Sequence, residues 1–312
     1  MKPLQFTLVG VLVLAGCGPK GGPSSQNGAE ETSLTEARKG FKSKLNGGKK
    51  GDPAPAPPPQ LFRTVQYDSP VGKLAAYLSP DPKDGKKHPA IIWICGGDCN
   101  SIDEGCWQEL PKDDQSACAF RKAGIVMMFP SLRGGNDNPG AKEGFLGEVD
   151  DVLAAADFLA KQPFVDPQRI YLGGHSNGGT LVLLTAECSD RFRAVFSFGP
   201  TNDVSRYPPE FLPFDTSVPR EIRLRSPGHW LRSIQSPVFV FAGTEEPNLD
   251  ALQAMARAST NPKIHFLPVR GATHFSILTP TTRLLAAKVM KDDGAECNLT
   301  VTEDEANKLF GK

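Results

Sequence analysis

The feature that most restricts this chain is the run Arg169-Ile170-Tyr171-Leu172-Gly173-Gly174-His175-Ser176-Asn177-Gly178-Gly179, followed by the apolar stretch Thr180–Glu187. A short apolar strand that gives way, within a few glycines, to a buried helix permits few folds. Gly174, Ser176 and Gly178 spell G-x-S-x-G, and between a strand and a helix this pattern forms a tight turn that larger residues would block. Such a turn lifts the Ser176 hydroxyl to the C-terminal edge of a sheet. The first N–H groups of the next helix are aimed at the same point.

The remaining apolar segments have the lengths and spacing that such a sheet requires. Thr64–Tyr67 and Lys73–Leu78 flank Ser69-Pro70-Val71-Gly72 and predict a hairpin. Ala90–Ile94 and Ile125–Phe129 are continuous apolar runs, suited to strands covered on both faces. Arg169–Leu172, after a turn over Gln162 to Pro167, is a further strand, as are Ala194–Phe198, Val238–Ala242 and Lys263–Val269. Phe120–Ala123 closes a helix. Val149–Leu159, Thr180–Glu187 and Leu249–Ala258 carry apolar groups at helical spacing. Strands alternating with helices define the α/β class, with a mostly parallel central sheet and helices on both faces. Residues 200–235 hold several Pro and aromatic residues without periodicity, and read as a cap-like insertion over one end of the sheet.

Ahead of Leu61 the chain changes character. Residues 1–17 (MKPLQFTLVGVLVLAGC) have an early Lys2, an apolar stretch from Phe6 to Leu14 and small residues before Cys17. That order predicts an export signal over residues 1–16, too short to span a bilayer comfortably. Leu14-Ala15-Gly16-Cys17 resembles the lipobox of bacterial lipoproteins, which implies a lipidated Cys17 that anchors the mature chain at a membrane of the cell envelope. Gly18 after the cysteine implies, by the same resemblance, the outer membrane. Residues 17–60 are rich in Gly, Pro and charge and predict a tether, with room for one short helix in 31–45 interrupted by Gly40. The folded domain is expected over 61–297, with a polar tail at 298–312. Thirty-five Lys+Arg balance 35 Asp+Glu, so nothing draws the chain toward nucleic acid.

Apart from Cys17 there are six cysteines: Cys95, Cys99, Cys106, Cys118, Cys188 and Cys297. An even number in an exported domain predicts disulfides, with at least one local bridge among the four in 95–118; sequence does not give the pairing. Their spacings match no standard zinc-ligand pair.

Asp150-Asp151-Val152, Asp166-Pro167-Gln168-Arg169-Ile170 and Gly174-His175-Ser176-Asn177-Gly178-Gly179, with Ser131-Leu132-Arg133-Gly134-Gly135 upstream, resemble the α/β-hydrolase superfamily. In particular they are similar to the catalytic domain of the prolyl oligopeptidase family and its dienelactone-hydrolase-like relatives. A serine needs a base, and the base an orienting acid. The resemblance implies the chain order Ser, acid, His. It places the base at His274, in the loop after the last strand, rather than at His229 or His265. It places the acid at Glu246, in Gly243-Thr244-Glu245-Glu246, where relatives usually carry Gly-x-x-Asp; Glu245 and Asp250 remain alternatives. Oxyanion donors are expected at the N–H groups of Asn177 and of Gly97, the latter in Cys95-Gly96-Gly97-Asp98, where relatives often have His-Gly-Gly. His175 reads as a packing or orienting residue rather than a second base, and Arg133 as a structural ion pair rather than a binder of substrate carboxylate.

These residues imply an exported, lipid-anchored serine hydrolase that cleaves ester or peptide/amide bonds through an acyl-enzyme, without metal or organic cofactor. A small ester or peptide is the expected substrate, with the ester preferred. The alternative is a catalytically inactive binding protein of the same fold on the cell envelope.

Overall fold

Near-continuous apolar strands are stable only where both faces of a sheet are covered. The computed structural model, which describes residues 33–47 and 51–310, shows how this chain covers them. Strands β1 (Arg63–Ser69), β2 (Gly72–Leu78), β3 (His88–Ile94), β4 (Val126–Pro130), β5 (Val165–His175), β6 (Val195–Phe198), β7 (Val238–Gly243) and β8 (Ile264–Val269) form one sheet. Their order is β1-β2-β4-β3-β5-β6-β7-β8. β1 pairs antiparallel with β2, and β2 with β4; all other neighbours are parallel. The helices are α1 (Leu34–Arg38), α2 (Cys118–Lys122), α3 (Glu148–Ala160), α4 (Asn177–Cys188), α5 (Pro219–Arg225), α6 (Leu249–Ala258), α7 (Leu278–Lys291) and α8 (Glu303–Lys308). This is the α/β-hydrolase architecture that the sequence implies.

The strands alternate with period two between two cores. Ala90, Ile92, Ile94, Val126, Met128, Ile170, Leu172, Val238 and Val240 share an aliphatic core with α3 and α4. Ile91, Trp93, Phe129, Tyr171, Phe196, Phe198, Phe239 and Phe241 face the other side, against α2 and α7. There the rings form a ladder across neighbouring strands, with Tyr171–Phe196 centroids 6.1 Å apart and Phe198–Phe241 centroids 4.8 Å apart. With both faces apolar, periodicity vanishes from the sequence and each strand reads as one run.

Several boundaries differ from expectation. β5 begins at Val165, inside the expected turn, and its register against β3 shifts between His88 and Ala90, which accommodates Pro167. Helix α7 has no counterpart in the sequence reading. Its inward face mixes Leu278, Leu285, Ala286 and Val289 with Thr281 and Thr282, which weakens the apolar signal. The 200–235 insertion is α5 with four single 3-10 turns.

The tether expectation is corrected over its described part. Leu34 and Ala37 of α1 are fully buried, and Leu45 bridges to Phe214. Ser43 Oγ and the Lys44 N–H both donate to Glu221 at 2.8 Å, and Arg38 pairs with Asp150 at 2.9 Å. Further on, Tyr77 Oη donates to Pro55 O at 2.6 Å. Two apolar side chains and a set of side-chain and backbone hydrogen bonds are enough to fasten a segment whose composition reads as solvated. The tail also docks: Leu299, Val301 and Ala306 are buried. The expected export signal and Cys17 lie outside the described residues. Among the described residues no helix is long and apolar enough to cross a membrane.

The expected disulfides are absent among the described residues, where all six cysteines are free thiols. The sheet divides them into two groups, Cys99 and Cys188 on the aliphatic side and Cys95, Cys106 and Cys297 on the aromatic one. Cys188 ends α4, and Cys297 follows α7. Cys95 and Cys106 face each other with sulfurs 4.0 Å apart.

Arg133 is the structural ion pair expected of it. Asp151, fully buried on α3, accepts from the Arg133 backbone N–H, Nε and Nη2 at 2.9 Å each, and from Ser69 Oγ at 2.6 Å. This knot ties the loop after β4 to α3 and to β1. Asp151→Ala leaves a buried guanidinium short of its main partner and should cost about 3–5 kcal/mol, read by urea unfolding. A loss below 1 kcal/mol would show that solvent or Glu143 replaces the carboxylate.

Candidate active site

β5 ends at His175 and α4 starts at Asn177, so Ser176 alone makes the junction. Its φ of 56° with ψ of −117° is a sparsely populated conformation that costs an L residue about 1–3 kcal/mol. Three glycines make room for the turn. A Cβ on Gly174 would sit 2.6 Å from Gly178 O, one on Gly178 2.2 Å from Ile94 O, and one on Gly179 2.5 Å from Phe198 O. The Ser176 N–H donates to Phe198 O at 2.7 Å, fixing the serine against the end of β6.

Glu246 and His274 arrive from the loops after β7 and β8. Glu246 is buried, whereas its rivals Glu245 and Asp250 are exposed. One Glu246 oxygen accepts the Gly243 N–H at 2.5 Å, and the other is hydrogen-bonded to His274 Nδ1. With Nδ1 committed to the carboxylate, the neutral ring keeps Nε2 as its acceptor. Gly199 brings this pair to the serine. It follows Phe198 directly, and a Cβ there would lie 2.7 Å from the His274 ring and 3.3 Å from Glu246 Oε2. Asn248 Nδ2 donates to Gly199 O and holds it in place.

On the other side of Ser176 lies the loop after β3. A Cβ on Gly96 would be 3.2 Å from Ser176 Cβ, so this backbone touches the serine directly. Gly97 has φ 69°, and its carbonyl accepts from Asn177 Nδ2 at 2.8 Å. Gly97 and Asn177 open together on a cavity of about 550 Å³, walled by Phe145, Tyr207, Phe211, Leu212 and Pro213, with Asp98 and Lys142 also lining it. The cap-like insertion therefore contributes side chains to this space.

His175 is buried and does not serve as a second base. Burial, then the neighbouring His274, push it down to about 3, so it is neutral. Its Nε2 lies 2.9 Å from His274 O, and the two rings are 4.4 Å apart, which anchors the His274 loop to the end of β5. His265 stacks on Phe239 at 4.8 Å, and His229 lines a separate cavity with Asp203. Cys106 beside it, then burial, push the Cys95 thiol up, away from thiolate chemistry.

The structure thus brings together Ser176, Glu246, His274, Gly97 and Asn177. Sequence reading missed Gly199, Asn248 and Gln115. A glycine directly after the β6 strand was the available signal for Gly199; the others carry no motif.

The fold and this constellation define a protein of α/β-hydrolase type with a Ser–His–Glu arrangement at the C-terminal edge of its sheet. Residues 112–260 match the family described as the prolyl oligopeptidase family. The matched segment holds Ser176 and Glu246. The uncharacterized peptidase YtmA of Bacillus subtilis (strain 168) is 29% identical over 143 residues, which is 42% of this chain and 55% of that protein. A puromycin-hydrolyzing peptidase of Mycobacterium tuberculosis is similar in structure, with a TM-score of 0.58 at 22% identity, covering 73% of this chain and 39% of that one. The Pyrobaculum calidifontis esterase is similar with a TM-score of 0.53 at 16% identity, covering 76% and 86%. The match to YtmA therefore spans about half of that relative's length.

Gly199→Ala should keep the fold but push the His274 ring off Glu246, lowering turnover about 100-fold or more. The measurement is kcat on an activated ester beside a thermal melt. Unchanged kcat would mean that the ring has room to move.

Proposed function

We propose that the protein is a serine hydrolase in which Ser176 attacks a peptide, amide or ester carbonyl. The observation that carries this reading is a serine at strained, positive φ at the head of α4, its N–H on Phe198 O, with the hydrogen-bonded His274–Glu246 pair packed against the next residue, Gly199. His274 takes the serine proton at Nε2, and Glu246 stabilises the imidazolium that results. The N–H groups of Asn177 and Gly97 receive the developing oxyanion, each such donor being worth about 2.7–4 kcal/mol in typical sites. His274 then returns the proton to the leaving amine or alcohol, and water releases the acyl-enzyme. The cavity beside Gly97 and Asn177, with Phe145, Tyr207 and Leu212 in its wall, suits an apolar part of the substrate. Relatives named as peptidases move the peptide reading ahead of the ester reading favoured by the sequence. The esterase similar in fold keeps esters within reach.

Leu14-Ala15-Gly16-Cys17 supports an exported protein held at a bacterial membrane by lipid on Cys17, the outer membrane being the favoured one. The domain would then work at the envelope surface.

Incubation of the full-length protein with a fluorophosphonate should add one adduct to the parent by intact mass and none to Ser176→Ala. No adduct on a folded parent would overturn the hydrolase reading and favour an inactive binding protein. Cys17→Ser should move the protein from the membrane pellet to the soluble fraction of cells; a variant that stays in the pellet would sink the lipid anchor.

A further inference from the structure

We propose that Gln115 is a positioning residue, tying the Gly96–Gly97 loop, His175 and the His274 loop into one hydrogen-bonded chain. The proposal rests on the hydrolase reading above. Gln115 lies on the loop between Cys106 and α2, away from every motif. Its Oε1 accepts the Gly96 N–H at 3.2 Å. Its Nε2 donates to Asp113 Oδ1 at 2.9 Å and lies 3.0 Å from His175 Nδ1, while its Oε1 lies 3.2 Å from the same nitrogen. His175 in turn reaches His274 O through Nε2 at 2.9 Å. The loop itself is fastened through the Gln115 carbonyl, which accepts from the Trp93 indole at 3.0 Å and from the Cys95 thiol at 3.5 Å.

Only one proton arrangement satisfies this chain. The His274 carbonyl can only accept, so His175 Nε2 carries the proton. Burial keeps the ring uncharged, so Nδ1 presents a lone pair and requires a donor. Both ends of the Gln115 amide lie near Nδ1, and the lone pair selects Nε2 as its partner and leaves the oxygen to accept from Gly96. One amide thus fixes the loop carrying an oxyanion donor on one side and the loop carrying the base on the other. The titratable groups around it are Asp113 and Asp114 on its own loop, Cys95 and Cys106 behind it, His175, and His274 beyond.

A carboxyl in place of the amide reproduces the hydrogen bonds to Gly96 and His175 only while it and the imidazole share one extra proton. Once that proton leaves, a carboxylate faces a lone pair, with the Asp113 carboxylate on its other side. On the full-length protein, Q115A should lower kcat on an activated ester about ten- to a hundredfold with KM little changed. Q115E should approach parental activity on the acid side, and its ratio to the parent should fall as pH rises. Imidazole ¹⁵N spectra of the parent should show His175 as the Nε2–H tautomer, a readout that does not depend on turnover. An Nδ1–H tautomer, a parental kcat in Q115A, or a Q115E-to-parent ratio that does not change with pH would each overturn the proposal while fluorophosphonate still labels the parent. A parent that neither labels nor turns over sinks the hydrolase reading, and the positioning role with it. Should Q115A not fold, the Q115E profile and the tautomer decide.

Discussion

Everything at this site depends on how closely α4 can approach the strands beneath it. The positions where side chains would stand on Gly174, Gly178 and Gly179 are taken by carbonyl oxygens of Gly178, Ile94 and Phe198, at 2.2–2.6 Å. Glycine at all three lets the helix start in contact with the ends of β3 and β6. Ser176 then has one way through, at positive φ. The strain persists because the sheet and helix packed around it over-determine the backbone. The serine is therefore placed by backbone contact and needs no side-chain partner to hold it.

That placement is useful only if the neighbouring loops are equally fixed, and the sheet supplies this. The aromatic core locks β3, β5, β6, β7 and β8 through ring contacts such as Trp93–Phe198 at 5.8 Å and Phe198–Phe241 at 4.8 Å. The loops that leave these strands carry Gly97, Ser176, Gly199, Glu246 and His274. Contacts between successive loops then add up around one point: Ser176 to Phe198, Gly199 against His274, and His274 to Glu246. The structure builds the site from the tips of one rigid layer, and the Arg133–Asp151 knot braces its opposite face.

How much of this was legible follows from what each residue needs. Ser176 and its glycines could be read because backbone geometry at a strand–helix junction imposes local residue types. The sheet could be read because strands covered on both faces carry long apolar runs. His274 and Glu246 were singled out through family order, and the structure hydrogen-bonds the two; nothing in their own sequence separates Glu246 from Glu245, whereas burial does, and burial is a tertiary fact. Gln115 was invisible because its role consists of contacts 19 and 60 positions away along the chain. Residues 33–47 misled because composition counts apolar groups and not hydrogen bonds. Leu34, Ala37 and the Glu221 contacts suffice to dock a segment that composition assigns to solvent. The cysteines misled for a similar reason: even number and proximity in sequence say nothing about which face of the sheet each one joins.

Glu246 stands where relatives usually carry aspartate, and its geometry shows how the longer side chain is accommodated. A carboxylate in a triad must hold the base while its remaining lone pairs are satisfied. Aspartate has one methylene fewer with which to do both. Glu246 uses its extra length to fold back on its own loop, so that one oxygen closes on the Gly243 N–H three residues earlier and the other meets His274. The first bond fixes the carboxylate plane and satisfies an N–H at the end of β7. Gly243 makes that return possible, since a Cβ there would stand 2.1 Å from the Ala272 carbonyl of the adjoining loop. The longer carboxylate and the glycine before it thus act together to set the distance between the β7 and β8 loops and hence the position of the His274 imidazole.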